Sequence, residues 1–407
     1  MQQQIIIIGG GAAGFFAAIT CAENNPEAIV TILEKGSNIL QKVKVSGGGR
    51  CNVTHACFDP KELCEFYPRG KKELLGPFHQ FMTGDTMEWF ENRGVELKIE
   101  ADNRVFPVSN SSQTIIDCLV HSAKKAGVAL QLNQPVTAIS KIDNQFKITT
   151  NSQEIIADKL LIATGSSPKF WSIIAKLGHT IIAPVPSLFT FKINDKRIKE
   201  IPGISVPNAT VSLIDSTFDS NGPLLITHWG LSGPAVLKLS AFGALFLAEK
   251  NYHYSVKVNW LSKSLSTVLN KLKILKRESS KKQIIVKSVF KDIPKRLWEQ
   301  LVMASEINIE QRWAAISNKQ LNNLANQLTN TVFIAYGKTT FKEEFVTAGG
   351  VDLKEINCKR FESKIHKNLF FAGEILNIDA VTGGFNFQNA WTGGFVAGKT
   401  MAEYSKV

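Results

Sequence analysis

Gly9, Gly11 and Gly14 stand at the spacing G-x-G-x-x-G, and a carboxylate, Glu34, follows 20 residues after the last of them. Glycine at these positions lets the backbone do what a side chain would prevent. Gly9 allows a tight turn, Gly11 lets a pyrophosphate approach the main chain, and Gly14 lets a helix pack closely on a strand. The first N–H groups of that helix lack intrahelical partners and carry the positive end of its dipole, which suits phosphate. A carboxylate at Glu34 can accept both hydroxyls of an adenosine ribose. The chemistry implied is capture of a dinucleotide.

The motif is informative only where a strand leads in and a helix leads out. Ile5–Ile8 are four consecutive β-branched apolar residues, the pattern of a strand buried on both faces. Ala12–Ala22 reads as the helix, with Ala18 on its small-residue face, and Ile29–Leu33 as a second strand that ends at Glu34. A second glycine-rich stretch, Gln41–Thr54 (QKVKVSGGGRCNVT), marks backbone passing close to a ligand.

Other residues invite chemistry but carry a plainer reading. Arg50 suits a phosphate, a substrate carboxylate or a structural acid. Cys51 is a candidate redox thiol, although a lone cysteine is more often a small buried residue. His228 reads as an acid/base or as a structural histidine, and His55 and His79 as structural. Trp229 and Trp391 suit either a stacked ring or the core. No H-E-x-x-H, Cys/His cluster or Ser/His/Asp arrangement is evident, so no metal is expected and no catalytic residue is assigned.

The remaining elements alternate in α/β style at both ends of the chain. Helices are expected over Phe78–Arg93 and Ser112–Ala126, a hairpin over Val136–Ile142 and Gln145–Thr149, and a buried strand at Lys159–Ala163 running into Thr164 and Gly165. After Pro184 and Pro186 the strands look antiparallel. From Leu261 the apolar positions Leu265, Val268, Leu269, Leu272 and Leu275 follow a helical period. Glu344–Val351 and Asn368–Glu374 return to the first style, and a glycine-rich turn from Thr382 leads into a closing helix toward Glu403.

A chain of 407 residues allows two or three domains. No uninterrupted apolar stretch reaches the length of a membrane span, the longest candidate, Gly233–Ala248, being broken by Lys238. Six cysteines without a C-x-x-C pair, and no basic leader, suggest a cytoplasmic protein with reduced thiols. The net charge is +12, and Leu261–Gln300 holds eleven basic against three acidic residues, a net +8. A solvated lysine-rich face is favoured there over a nucleic-acid surface, because no aromatic ladder or RNA motif accompanies it.

The blocks IIIIGGGAAG, VSGGGRCNVT, ATG, THWGLSGPA, VTAGGV and FAGEILNIDAVTGGFNFQNAWTGG, in this order, resemble the BaiN/RdsA-type bacterial NAD(P)/FAD-dependent oxidoreductase family. More distantly, AGE before a glycine-rich turn and a terminal helix looks like the fumarate reductase flavoprotein superfamily. The resemblance implies FAD and an α/β fold. In it a discontinuous Rossmann-like domain (1–187 and 346–407) carries an inserted β-barrel-like domain (188–260 and 330–345), with a smaller helical domain (261–329) inside the insertion. Carried over by position, Gly9, Gly11, Ala13 and Gly14 would hold the pyrophosphate, and Glu34 the ribose with Lys35 beside it. Lys42 and Ser46, Gly47, Gly48, Gly49, Arg50, Cys51 and Asn52 would line the pyrophosphate and flavin side. Val136 would meet adenine, and Thr164 and Gly165 would pass under the nucleotide. Gly373 and Glu374 would approach the ribityl chain, with Asp379 nearby. Gly384, Phe385 and Asn386 would meet the flavin pyrimidine edge, where amides at a helix N-terminus would stabilise negative charge.

The expected activity is hydride transfer through a non-covalent flavin, on a small organic substrate that the sequence does not identify. With one G-x-G-x-x-G and no C-x-x-C, NAD(P)H would bind transiently over the flavin as electron donor. The alternatives are an oxygen-using oxidase and a flavoprotein acting on or binding tRNA or other RNA through its basic helical region.

Overall fold

The computed structural model describes residues 2–339 and 346–403. Glu344 and Phe345, expected to open the returning strand, lie outside the described residues. The chain forms two compact units, Met1–Pro184 with Thr347–Val407, and Val185–Val346.

In the first unit five parallel strands lie in the order Leu369–Phe371, Lys159–Ile162, Gln4–Ile8, Ile29–Leu33, Ala129–Gln131. Two short antiparallel strands, Glu362–Ser363 and Ile356–Asn357, extend one edge. The strand Gln4–Ile8 is central, with Ile6 opposite both Thr31 and Leu160. Its isoleucines are at most 3% exposed, as a strand covered on both faces requires. The first and last strand-flanking helices, Ala12–Asn24 and Phe385–Ala402, pack against each other. A β-carbon on Gly398 would lie 2.5 Å from the Ala17 carbonyl oxygen, and one on Gly394 2.7 Å from that of Ala13. The two ends of the chain therefore meet backbone to backbone beneath the nucleotide motif. This is the mixed α/β, Rossmann-type fold expected.

One expected element divides. In place of a single helix over Phe78–Arg93 the chain forms Lys71–Phe78 and Thr83–Glu91. Pro77 ends the first, and Asp85 caps the second by accepting from the Met82 amide at 2.7 Å. The apolar residues still point inward: Phe78, Phe81, Trp89 and Phe90 are buried.

The second unit holds seven strands in the order Thr331–Tyr336, His253–Asn259, Ser205–Leu213, Asp219–Thr227, Gly230–Ser232, Thr190–Lys192, Lys338–Thr339. The two edge strands are consecutive in the chain, so the sheet closes on itself as a barrel. Helices Leu265–Glu278, Lys295–Ala304 and Asn318–Thr329 pack on it. Their Leu272, Trp298 and Leu324 share one apolar core with Val211, Val258 and Phe333 of the barrel.

Candidate functional site

The helix after the glycine loop begins at Ala12, with Gly11 as an extended cap that offers no side-chain acceptor. Its first N–H groups are thus left to water or a ligand. A β-carbon on Gly11 would meet nothing within 4 Å, so the motif opens onto free space there. Gly9, at φ +113°, has the opposite environment: a β-carbon would lie 2.5 Å from the Ala163 carbonyl oxygen. That close approach brings Thr164 beneath the loop, and its Oγ1 is buried with no partner among the described residues. Gly373 arrives from the other end of the chain, its β-carbon position 3.3 Å from that of Ala13.

Glu34 follows its strand directly. Its carboxylate accepts from the Gly10 amide at 2.8 Å and the Gly36 amide at 3.0 Å. A carboxylate has about four acceptor positions, so two backbone bonds orient it and leave room for two hydroxyl donors. Lys35 beside it is exposed, and Val136 is buried where it opens the strand Val136–Ile142.

Lys42 and Glu374 form an ion pair. Gly165, at φ +65°, lies beside it, with a β-carbon position 3.9 Å from the Lys42 Nζ and 4.0 Å from the Glu374 Oε2. Three segments predicted separately from sequence converge at this point.

In the second glycine stretch, residues 41–45 are helical, and the backbone then turns through Gly47, Gly48 and Gly49 with φ of +56°, +68° and +85°. Three consecutive left-handed residues are affordable only to glycine. The β-carbon positions of Gly48 and Gly49 face open space. Ser46 fixes the turn: its hydroxyl donates to the Val43 carbonyl at 2.9 Å, and its own carbonyl accepts from the Cys51 amide at 3.0 Å. Asn52 ends it with a buried Oδ1 that has no partner among the described residues.

Four predicted side chains are engaged within the protein instead. Arg50 donates to Glu100 at 2.7 Å and lies 3.9 Å above the Phe106 ring. The Cys51 thiol is fully buried, and burial pushes its pKa up to about 12, which disfavours the thiolate. Asp379, also fully buried, is held by both arms of Arg69. The Asn386 side chain is engaged at both ends by Ala380: its Oδ1 accepts from the amide at 3.0 Å, and its Nδ2 donates to the carbonyl at 3.1 Å.

These contacts clamp the turn before the closing helix. The Val381 amide donates to the Phe66 carbonyl at 3.0 Å, and the Tyr67 hydroxyl donates to that of Phe385 at 2.5 Å. Phe385 stacks on Phe66 at 4.2 Å and on His55 at 4.5 Å. His55 Nδ1 lies 3.1 Å from the Gly383 carbonyl oxygen, and burial holds its pKa below the usual value. Gly384 presses on the Thr54 carbonyl and has Asn52 beside it. Trp391 belongs to the core, its Nε1 donating to the Val53 carbonyl at 2.9 Å. In the second unit, His228 and Trp229 form an exposed hairpin tip.

The sequence reading missed a buried polar chain in the closing helix. Gln388 accepts from Thr54 at 2.6 Å and Thr86 at 3.0 Å, and donates to Thr392 at 3.1 Å. Gln388 and Thr392, polar residues four apart on one face of the helix, were its signal.

Open space at Gly11, Gly48 and Gly49, an uncapped helix start, an oriented carboxylate and two orphaned buried oxygens at Thr164 and Asn52 fit a bound dinucleotide. The family model for the HI0933-like protein Rossmann domain matches residues 3–400. The chain belongs to that family. It is a flavin-dependent oxidoreductase. Ribosomal RNA dihydrouridine synthases of Escherichia coli and Haemophilus influenzae are 28% and 29% identical to it, covering 91% and 92% of this chain and 92% of each relative. The 3-dehydro-bile acid delta(4,6)-reductase of Clostridium scindens is 27% identical over 95% of this chain and 96% of the relative. In fold the chain is similar to 3-ketosteroid-delta4-(5alpha)-dehydrogenase from Rhodococcus jostii, at TM-score 0.51 and 11% identity, covering 99% of this chain and 97% of that one. Among the described residues no helix is long and apolar enough to cross a membrane.

Proposed function

We propose that the chain is a FAD-dependent reductase of a C=C bond conjugated to a carbonyl, with uridine in ribosomal RNA as its substrate and NAD(P)H as its electron donor. The observation that carries this reading is the similarity to two ribosomal RNA dihydrouridine synthases over nearly the whole chain. Uridine reduction adds a hydride at C6 and a proton at C5. The bile acid reductase, by its name, also acts on double bonds of an oxo compound, so one chemistry covers both kinds of relative.

When bound, FAD supplies the hydride. The residues of this chain do the rest. Glu34 holds the ribose, oriented by Gly10 and Gly36. The helix start after Gly11 receives the pyrophosphate, with Lys42 as the nearby cation. The clamped turn at Gly383–Asn386 fixes the N-terminus of the closing helix, whose amides favour negative charge. Asp379 and Asn386 serve as positioning residues there.

The test is anaerobic stopped flow. NADH or NADPH should bleach the purified yellow protein, and unmodified ribosomal RNA should restore the colour with dihydrouridine formed. Restoration by a free steroid enone but not by RNA would favour a small-molecule reductase. No bleaching by either nucleotide would remove NAD(P)H.

A further inference from the structure

The basic stretch at 261–300 differs in one respect from an ordinary solvated face. Among the described residues, only Lys295 of its eleven Lys and Arg side chains lies within ion-pair distance of a carboxylate, Glu299 at 3.7 Å. Lys276 and Arg296 donate to the carbonyls of Ile316 and Glu200, and Lys271 lies 4.6 Å above the Phe290 ring. The other seven side chains have no hydrogen-bond, ion-pair or ring partner among the described residues, and all are exposed. Surfaces built only for solubility intersperse both signs. Here the cations outnumber the acids eleven to three, and Lys295 alone among them pairs with a carboxylate of the described residues.

They also stand on a fixed platform. Helix Leu265–Glu278 buries Val268 and Leu272 and leaves Lys273 and Arg277 outward. The segment after it, which carries Lys281, Lys282, Lys287 and Lys291, has little regular structure but is anchored. Ile284, Phe290 and Ile293 are buried in it, the Trp298 Nε1 donates to the Ile284 carbonyl at 3.0 Å, and the Trp313 amide donates to that of Lys282 at 3.0 Å.

We infer that this face is a docking surface for the sugar-phosphate backbone of structured RNA. Resting on the substrate reading above, it deepens that reading by assigning the contact that holds the RNA. Nine of the eleven cations are lysines, which meet phosphates as point charges and read no base. The face therefore contributes affinity and position, and leaves the choice of uridine to the flavin site.

The experiment uses the full-length, FAD-loaded protein and a fluorescein-labelled ribosomal RNA hairpin, read by fluorescence anisotropy. Raising salt from about 50 to about 200 mM should weaken wild-type binding roughly 100-fold, as about four phosphate contacts require. Replacing Lys273, Arg277, Lys281 and Lys287 by Gln should weaken binding at low salt at least tenfold and flatten the salt dependence. FAD content and melting temperature should not change. Replacing the exposed Lys124, Lys125, Lys169 and Lys176 by Gln should have little effect. Equal loss from both sets, or none from the first, would overturn the proposal. So would binding to phosphatidylcholine–phosphatidylglycerol vesicles without any RNA shift. The two readings separate cleanly. If cells lacking the gene lose ribosomal dihydrouridine while the first variant binds RNA normally, the docking face fails alone. If dihydrouridine persists while the face binds RNA, the docking face stands and the substrate reading fails.

Discussion

The carbonyl oxygen of Gly9 faces Gly14 so closely that any β-carbon at Gly14 would overlap it. Gly11, between them, faces open space. Two glycines of one motif should therefore fail in different ways. Gly14→Ala forces the helix off its strand and should cost about 1–3 kcal/mol of stability even without cofactor. Gly11→Val should leave the melting temperature of the flavin-free protein near wild type and abolish FAD retention. Calorimetry and flavin absorbance on both variants check this. A destabilised Gly11→Val apoprotein would contradict it.

Glu34 accepts from two backbone amides, Gly10 and Gly36, and in the proposed function it holds the ribose. Glu34→Ala should weaken FAD binding by about 1.5–3 kcal/mol, roughly 10- to 150-fold. Equilibrium titration of the apoprotein with FAD measures the change. Affinity within a factor of two of wild type would remove the ribose role.

The family resemblance places Asn386 at the flavin pyrimidine edge. Both ends of that side chain instead hold Ala380. Asn386→Leu leaves both Ala380 groups without this partner and should cost on the order of 1–3 kcal/mol. The flavin reduction potential should move little once FAD is bound. Thermal melting and redox titration of the same variant separate the two effects, and a lowered potential with unchanged melting would restore the direct role.

Ser363, His179 and Glu355 form a hydrogen-bonded chain, with both links at 3.0 Å. Ser363 is buried and accepts from the amides of Ile365 and His366, so the arrangement staples the sheet edge. Burial holds His179 below its usual value. Against the opposing push of burial, hydrogen bonds from Thr180 and His179 hold Glu355 below its own. Both shifts have the same sign in linkage, because the unfolded chain binds the proton more readily. Stability is complete above about pH 6.5 and should fall as the pH drops below it, Glu355 adding its loss at more acid pH. Urea midpoints measured from about pH 7.5 down to about pH 5 should show the fall, and His179→Gln should reduce it, the buried His55 contributing the remainder with the same sign.

Local chemistry was legible in the sequence and distant pairing was not. Ile5–Ile8, the three glycines and Glu34 announce strand, turn and acceptor because each acts through groups local in the sequence. The glycine run at Gly47–Gly49 likewise needed only the conformational rule. Arg69 and Asp379 are 310 positions apart, and Lys42 and Glu374 are 332 apart. No periodicity connects such pairs, so Asp379 read as a ligand contact rather than as an ion-pair partner. Gly394 and Gly398 read as part of a closing helix, because their close approach to Ala13 and Ala17 exists only after the two ends of the chain meet. The basic stretch was legible as charge. That a single one of its cations pairs with a carboxylate among the described residues required the fold.

The central claim is that this fold reduces uridine in ribosomal RNA through a bound flavin. Mass spectrometry of nucleosides from purified ribosomal RNA tests it most directly, in cells lacking the gene and in the same cells carrying wild type or Gly11→Val. Dihydrouridine should vanish from the deletion strain, return with wild type and stay absent with Gly11→Val. An unchanged dihydrouridine content in the deletion strain would contradict the account.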